Sequence, residues 1–291
     1  MPRRMHGRWT VADDRVGIVA VTYFSAEIIA PFLDSVEGAL SSSPQIILVD
    51  NTPGDDGLAA RVATDPCVSI TRPVSNVGYG GGMNVGVARL PKDIELIVLA
   101  NPDVVLGKGS IDVLIDAARR HPEGAAFGPL IRSDDGAIYP SARKLPSLRT
   151  GIGHATFVRI WPGNPWTTSY RNDLASVDEH AVGWLSGAFL LVRRSAFDSV
   201  GGFDKRFFMY FEDVDLGRNL GLAGWKNIYV PSSEVLHHGA LSTSRAAKIM
   251  LRAHHTSAYR YLAKRYPQWY LLPVRLMLRI GLWLRGRLAK G

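Results

Sequence analysis

In the stretch "MYFEDVDLGRNLGLAGW" (209–225), Glu212 and Asp213 stand side by side, Asp215 follows two positions later, and Phe207, Phe208, Tyr210 and Phe211 crowd around them. Burying even one unpaired charge is costly, so three carboxylates among four aromatic rings need partners or a task. They fall where the sequence predicts a helix to begin, and the free N–H groups and dipole of a helix N-terminus favour their ionised form. An ionised carboxylate only accepts hydrogen bonds. Such groups can take a proton from a substrate, or Asp213 and Asp215 can simply cap the helix.

Other polar groups sit where apolar runs end. Thr22 follows "VGIVAVTYF" (16–24), Asp50 and Asn51 close "QIILVDN" (45–51), and Asn101 and Asp103 close "IELIVLANPD" (94–103). Asp50 could accept a hydrogen bond from a base or ribose, and Asp103 could bind a divalent cation, although Asn-Pro-Asp is also a common turn. "NVGYGGGMNVG" (76–86) leaves backbone N–H groups uncovered for close approach to a ligand, or lets a helix pack tightly on a sheet. It is not a dinucleotide fingerprint, because Met83 stands where the third glycine would be, and no G-x-x-x-x-G-K-[ST] occurs. His237 and His238, in "EVLHHGALSTS" (234–244), become metal candidates if one of them meets Asp103 in space.

The elements that must position these groups alternate. Short apolar runs, with "VSITRP" (68–73) among them, predict strands buried on both faces, and Ile29, Phe32, Leu33 and Val36, then Ile111, Leu114, Ile115 and Ala118, have helical spacing. The expected fold is α/β, a mostly parallel sheet with helices on both faces, and ligands in such sheets bind beyond the carboxyl ends of the strands. "FGPLI", "GWLSGAFLLVRRSAF" (183–197) and "KNIYVP" predict further strands, 151–175 reads as loop, and a long helix is expected from Ser244 to about Tyr266.

The 291 residues are 46% hydrophobic, enough for a substantial core. Cys67 is the single cysteine, so no internal disulfide forms, and no leader pattern precedes the first strand; the expected compartment is cytoplasmic. Net charge is +8, but residues 245–291 hold 11 of the 34 Lys and Arg and no acid, which leaves 23 basic against 26 acidic residues before them. Those basic residues alternate with Trp269, Leu272, Leu276, Ile280 and Trp283. That mixture points to an anionic lipid surface as partner. Four arginines between 275 and 287 argue against a spanning helix, and nucleic acid is not expected, since no nucleic-acid motif accompanies the charge.

Taken in order, "VAVTYFS", "ILVDN", "NVGYGGGMNVG", "LANPD", "WLSGAFLLVRRSAFDSVGGFDKRFFMYFEDVDLGRNLGLAGW" and "VLHHGALS" resemble the inverting family 2 glycosyltransferases of GT-A fold, over Val16 to about Ser244. The resemblance is strongest to rhamnosyltransferases acting on prenyl-linked acceptors. It implies dTDP-rhamnose as donor, N-acetylglucosaminyl-diphospho-decaprenol as acceptor, and a product on which arabinogalactan is built. By the same resemblance Asp213 is the general base and Glu212 orients the acceptor. Thr22, Asp50, Asn51, Asn76, Gly78, Gly80, Asn84 and Asn101 line the nucleotide-sugar pocket. Asp103, with His237, holds Mg2+ or Mn2+, and Trp184, Gly187 and Asp215 belong to the acceptor side. Asn101 replaces the first carboxylate of the Asp-x-Asp that the family often carries. The implied organisation is an extension (1–15), a catalytic domain (16–244, donor half 16–123, acceptor half 124–244) and a basic helical tail (245–291) at the cytoplasmic membrane face. A homo-oligomer is left open.

Overall fold

The computed structural model describes residues 16–148, 178–239 and 247–288. The segments 1–15 and 151–175, read above as extension and loop, lie outside them. Strand β1 (Val16–Thr22) is buried along its whole length, as its unbroken apolar run requires, and pairs in parallel with β2 (Gln45–Asp50) and β4 (Leu96–Ala100). Next to β2 lies β3 (Val68–Thr71), also parallel. Three helices follow these strands: α1 (Ile29–Ala39), the short α2 (Leu58–Val62) and α3 (Gly78–Arg89).

The chain then runs through β5 (Val104–Leu106), α4 (Ser110–Arg120), β6 (Gly124–Arg132), β7 (Ile138–Tyr139), β8 (Ala142–Arg143), β9 (His180–Val182), β10 (Trp184–Leu185) and β11 (Phe189–Arg193). Two helices, α5 (Arg194–Ser199) and α6 (Glu212–Leu222), precede the long strand β12 (Lys226–His237). Among the described residues the main sheet has the order β3-β2-β1-β4-β11-β6-β12-β5, with β7 on β6 and β9 on β12. The half that begins the chain is parallel. In the second half β11 runs antiparallel to both β4 and β6.

Each face of the sheet has its own apolar core. Ile18, Ala20, Ile46 and Leu48 face α1 and α4, while Val19, Val21, Ile47 and Val49 face α3, α5 and α6. "KNIYVP" and "EVLH" belong to one strand, β12, whose register shifts between Val230 and Glu234, and His237 ends the strand beside β5.

The glycine-rich stretch forms most of α3, and close packing of this helix on the sheet explains its composition. A Cβ at Gly86 would lie 2.2 Å from Val19 and 2.9 Å from Val49 on the sheet beneath. The basic C-terminal region is two helices, α7 (Ala247–Arg265) and α8 (Leu272–Leu288), and they differ in placement. Tyr261 of α7 is fully buried against Phe207 and Val214, which makes α7 part of the domain body. On and just before α8, Trp269, Tyr270, Leu272, Leu276, Met277, Ile280 and Trp283 are exposed.

Gly86→Val is expected to destabilise the protein by about 1–3 kcal/mol through overpacking. Gly38→Ala, in α1 with nothing within 4 Å of the new methyl, is expected to be neutral or stabilising by up to about 1 kcal/mol. Thermal unfolding of the two variants checks both signs.

Candidate active site

Thr22 and Asp50 are register partners at the ends of β1 and β2. Their polar atoms are spent on the protein. Asp50 Oδ1 accepts from the Thr52 N–H at 3.0 Å, Asp50 Oδ2 pairs with Arg72 Nε at 2.9 Å, and the Thr22 hydroxyl donates weakly to Val49 O and Asp50 Oδ1. Both residues are buried, so the group this corner presents outward is the half-exposed Arg72 guanidinium, with the exposed rings of Tyr23 and Phe24 following Thr22. Asn51 fastens the start of α3: its Nδ2 donates to Gly78 O at 3.1 Å and its Oδ1 accepts from the Val77 N–H. Asn76 is exposed and its Oδ1 accepts from the Gly78 N–H.

One sequence expectation needs correction here. Asn84 does not face a ligand, because its Nδ2 donates to Phe203 O at 2.8 Å and its Oδ1 accepts from the Phe203 N–H at 2.9 Å. Gly78 and Gly80 lie close against protein on their Cα side. A Cβ at Gly78, where φ is +74°, would strike Phe208 O at 2.0 Å, and one at Gly80 would meet Phe203 and Glu212 at 2.9 and 3.4 Å. The glycines let α3 seat the segment that leads into α6.

That segment ends in the carboxylates. Tyr210 and Phe211 both adopt left-handed backbone, φ 66° and 64°, immediately before α6. Non-glycine residues there cost about 1–3 kcal/mol each and persist only where their surroundings over-determine them. Asp213 Oδ2 accepts from the Gly187 N–H at 3.0 Å and Oδ1 from its neighbour Val214 N–H at 2.8 Å. Burial pushes the Asp213 carboxyl up from its ordinary value, against these N–H donors and the nearby Arg143 charge, which act to lower it. Glu212 is buried, its Oε2 has no hydrogen-bond partner, and burial followed by the Asp213 charge pushes it well above the ordinary 4.5.

The third carboxylate has a different fate. Asp215 is fully buried and its Oδ2 is held by Lys264 Nζ at 2.7 Å and Asn219 Nδ2 at 3.0 Å. It faces α7 and not an acceptor pocket. Trp184 packs with Phe207, Val214 and Tyr261, donates its indole N–H to Lys144 O, and carries Arg143 over its ring at 6.0 Å.

Asp103 enters from the other side. Its Oδ1 is buried without a hydrogen bond and lies 3.2 Å from His237 Nε2, which in turn is 3.2 Å from Asn101 Nδ2. His238 turns elsewhere, to Asp134, while its N–H bonds Asp103 O. Two ligand atoms at right angles around Mg2+ would be about 3 Å apart, given ligand distances of about 2.1 Å, so Asp103 and His237 fit one edge of a divalent-cation site. No group of three or more His, Cys, Asp or Glu side chains able to hold a metal occurs among the described residues, which leaves the other positions to water and substrate oxygens.

The two sides meet. The Asn101 N–H donates to Ala188 O at 2.8 Å, and Ala188 adjoins the Gly187 whose N–H holds Asp213. Tyr79, in the middle of the glycine run, donates its hydroxyl to Gly187 O. Burial, then the charges of Glu212, Asp213 and Asp103, pushes this phenol well above its usual value, so a single hydroxyl senses all three carboxylates. A Cβ at Gly187 would press on both Tyr79 and Asp213 at 3.3 and 3.4 Å. Tyr139, edge-on to His237 at 6.1 Å, closes the metal side. Sequence reading passed over Tyr79, Tyr139, Arg72 and Lys264. Only Tyr79 carried a signal, as a large polar ring inside a run of glycines.

Residues 15–256 match the family described as glycosyltransferase like family 2. The chain belongs to this family. It is 48% identical over 284 residues, 94% of this chain and 92% of the relative, to the N-acetylglucosaminyl-diphospho-decaprenol L-rhamnosyltransferase of Mycobacterium tuberculosis. It is 30% identical over 194 residues, 65% of this chain and 71% of the relative, to the rhamnosyltransferase WbbL of Escherichia coli K12. Among solved structures, the mannosyltransferase PcManGT from Pyrobaculum calidifontis, in complex with GDP-Man and Mn2+, superposes with TM-score 0.58 at 16% identity, covering 98% of this chain and 74% of that one. GalNAc-T7 with UDP, GalNAc and Mn2+ gives 0.57 at 14%, covering 82% and 47%. The fold is therefore GT-A, and the protein is a glycosyltransferase.

Glu212→Gln is expected to stabilise the protein at neutral pH, because it removes a buried charge that lacks a partner. The carboxyl of Glu212 is raised in the folded state, so the wild type binds more protons folded than unfolded and loses stability as pH rises above the ordinary 4.5. The difference in unfolding temperature between variant and wild type should therefore be small at pH 4 and grow toward pH 8, as calorimetry in metal-free buffer would show.

Proposed function

We propose that this protein transfers L-rhamnose from dTDP-rhamnose to N-acetylglucosaminyl-diphospho-decaprenol, with inversion at the anomeric carbon and with a divalent cation, Mg2+ or Mn2+, at Asp103 and His237. The observation that carries the reading is the 48% identity along 94% of the chain to the mycobacterial enzyme of that name, joined to the Glu212–Asp213 pair, in which Asp213 is held by the N–H of Gly187, next to the Ala188 carbonyl that the Asn101 N–H closes on.

The chemistry follows from the residues. Asp213, held by the Gly187 and Val214 N–H groups, takes the proton from the acceptor hydroxyl as that oxygen forms its bond to the sugar carbon. On the opposite face the bond to the diphosphate oxygen breaks, so a β-linked donor gives an α-rhamnoside. A raised carboxyl is a stronger base than an ordinary one, and such proton transfer contributes about 10²- to 10⁴-fold. A divalent cation, when bound, neutralises the charge developing on the departing diphosphate. Tyr79 fixes the Gly187 turn through its carbonyl, Glu212 lies beside the base to orient the acceptor, and Arg72 with Asn76 offers polar groups to the nucleotide.

The acceptor's lipid calls for a membrane surface. Among the described residues no helix is long and apolar enough to cross a membrane. Leu272, Leu276, Ile280 and Trp283 recur at helical spacing along α8 and are all exposed, in a region without acids. A stripe of this kind, with Trp269 and Tyr270 at its start, suits the interface of an anionic leaflet, where each basic residue adds about 1 kcal/mol. We place the protein at the cytoplasmic face as a peripheral protein.

Purified protein given dTDP-rhamnose and a short-chain prenyl-diphospho-N-acetylglucosamine should release dTDP and form the disaccharide lipid, with EDTA stopping turnover and Mn2+ or Mg2+ restoring it. Asp213→Asn should lower kcat by about 10²- to 10⁴-fold while leaving the donor KM within a few-fold. Turnover with other nucleotide sugars but not this one would replace the donor assignment. Separately, Leu276→Glu with Ile280→Glu should abolish co-sedimentation with vesicles rich in anionic lipid without changing the unfolding temperature; binding equal to wild type would remove α8 from the account.

A further inference from the structure

We propose that Lys264 is a positioning residue for the Glu212–Asp213 pair, which makes α7 a working part of the catalytic site; this rests on the reading of Asp213 as the base. Lys264 Nζ lies 2.7 Å from Asp215 Oδ2 and 2.9 Å from Asp204 Oδ2. It therefore ties together the two ends of the segment 204–215, one carboxylate at its start and one in the first turn of α6. Arg206 shares Asp204, at 2.6 Å from Oδ2, but no other cation is paired with Asp215 among the described residues.

Between those tied ends lie the consecutive left-handed residues Tyr210 and Phe211. The contacts that over-determine them come from one face of α7. His254 meets both rings, at 5.5 and 5.4 Å, the Ser257 hydroxyl donates to Met209 O at 2.8 Å, and the Tyr261 ring stands 5.7 Å from Phe211. Residues 254, 257, 261 and 264 are spaced three, four and three apart, a continuous helical stripe laid along the catalytic segment. The next two residues after the strained pair are Glu212 and Asp213, so the angle at which α6 presents them is set where α7 grips. The family match ends at residue 256, before Ser257, Tyr261 and Lys264.

Without its lysine, buried Asp215 is left as an uncompensated charge and the tie to Asp204 across the segment is lost, so the segment opens. Glycosyl transfer tolerates little of this, since a displacement of about 1 Å can cost about 10²-fold in rate.

The experiment compares the full-length wild type with Lys264→Met, Lys264→Arg and the double variant Asp215→Asn/Lys264→Met, which leaves no unpaired buried charge at position 215 if the single variant does not fold. Two readouts are taken: kcat and donor KM with the substrates the wild type turns over, and amide hydrogen exchange resolved by peptide. Lys264→Met, or the double variant in its place, should lose about 10²-fold in kcat with donor KM within about twofold, and Lys264→Arg should recover most of it. Exchange should rise in 209–216 and at Gly187 while 46–50 and 96–100 stay protected. Wild-type kcat in a folded Lys264→Met protein overturns the proposal. So does exchange rising equally in 46–50, which would mean that Lys264 only holds the fold together. A wild type that turns over no nucleotide sugar refutes the functional reading instead, and the exchange pattern still decides whether Lys264 fixes the segment.

Discussion

The antiparallel pairing of β4 with β11 is the constraint on which the rest depends. It lays Phe189 opposite Ala100, and one step further the Asn101 N–H closes on Ala188 O. From that point the two chains diverge with different cargo. The β4 side continues through Asn101 to Asp103, which meets His237 arriving from the irregular end of β12. The β11 side turns at Gly187, whose N–H holds Asp213 and whose carbonyl holds Tyr79. Asp103 and Asp213, more than a hundred positions apart, are thus both tied to one short stretch of ladder, and a slip of one residue would turn every side chain of the strand to the other face.

The local price of this arrangement is visible in the backbone and in the carboxylates. Tyr210 and Phe211 occupy a region that L-residues avoid, and Glu212 is buried with an oxygen that nothing satisfies. A site optimised for stability would relieve both. Instead α3, with glycines at 78 and 80, packs directly against Phe203, Phe208 and Glu212. Asp215 is the contrasting case. It sits two residues from Asp213, is fully buried where Asp213 is part-buried, and is neutralised by Lys264.

Much of this was legible in the sequence. Fully apolar runs such as "VGIVAV" can only be strands covered on both faces, and the helical spacing at 29–36 and 111–118 places the layers. The carboxylate pair and Asp103 announced themselves by type and position. The glycine run left two readings open, close approach to a ligand or tight packing of a helix, because composition does not distinguish a glycine that admits a ligand from one that admits Val19 or Phe203. Asn84 and Asp215 were misplaced for a related reason: a polar side chain in a motif can serve the backbone or a distant lysine, and only tertiary contacts say which. Lys264 had no signal at all, since it stands among eleven basic residues whose charge pointed to a surface. That the tail divides into a docked α7 and an exposed α8 depends on burial of Tyr261, which periodicity alone does not foretell.

The central claim is that the cation site and the base face one cleft across the β4–β11 junction. A crystal structure of the protein with Mn2+ and dTDP tests it most directly, through the anomalous signal of the metal. The account predicts a single strong peak about 2.0–2.3 Å from Asp103 Oδ1 and His237 Nε2, with diphosphate oxygens completing the shell and the Asp213 carboxylate open to the same cavity. A peak bound elsewhere, or a cavity walled off from Asp213, would contradict it.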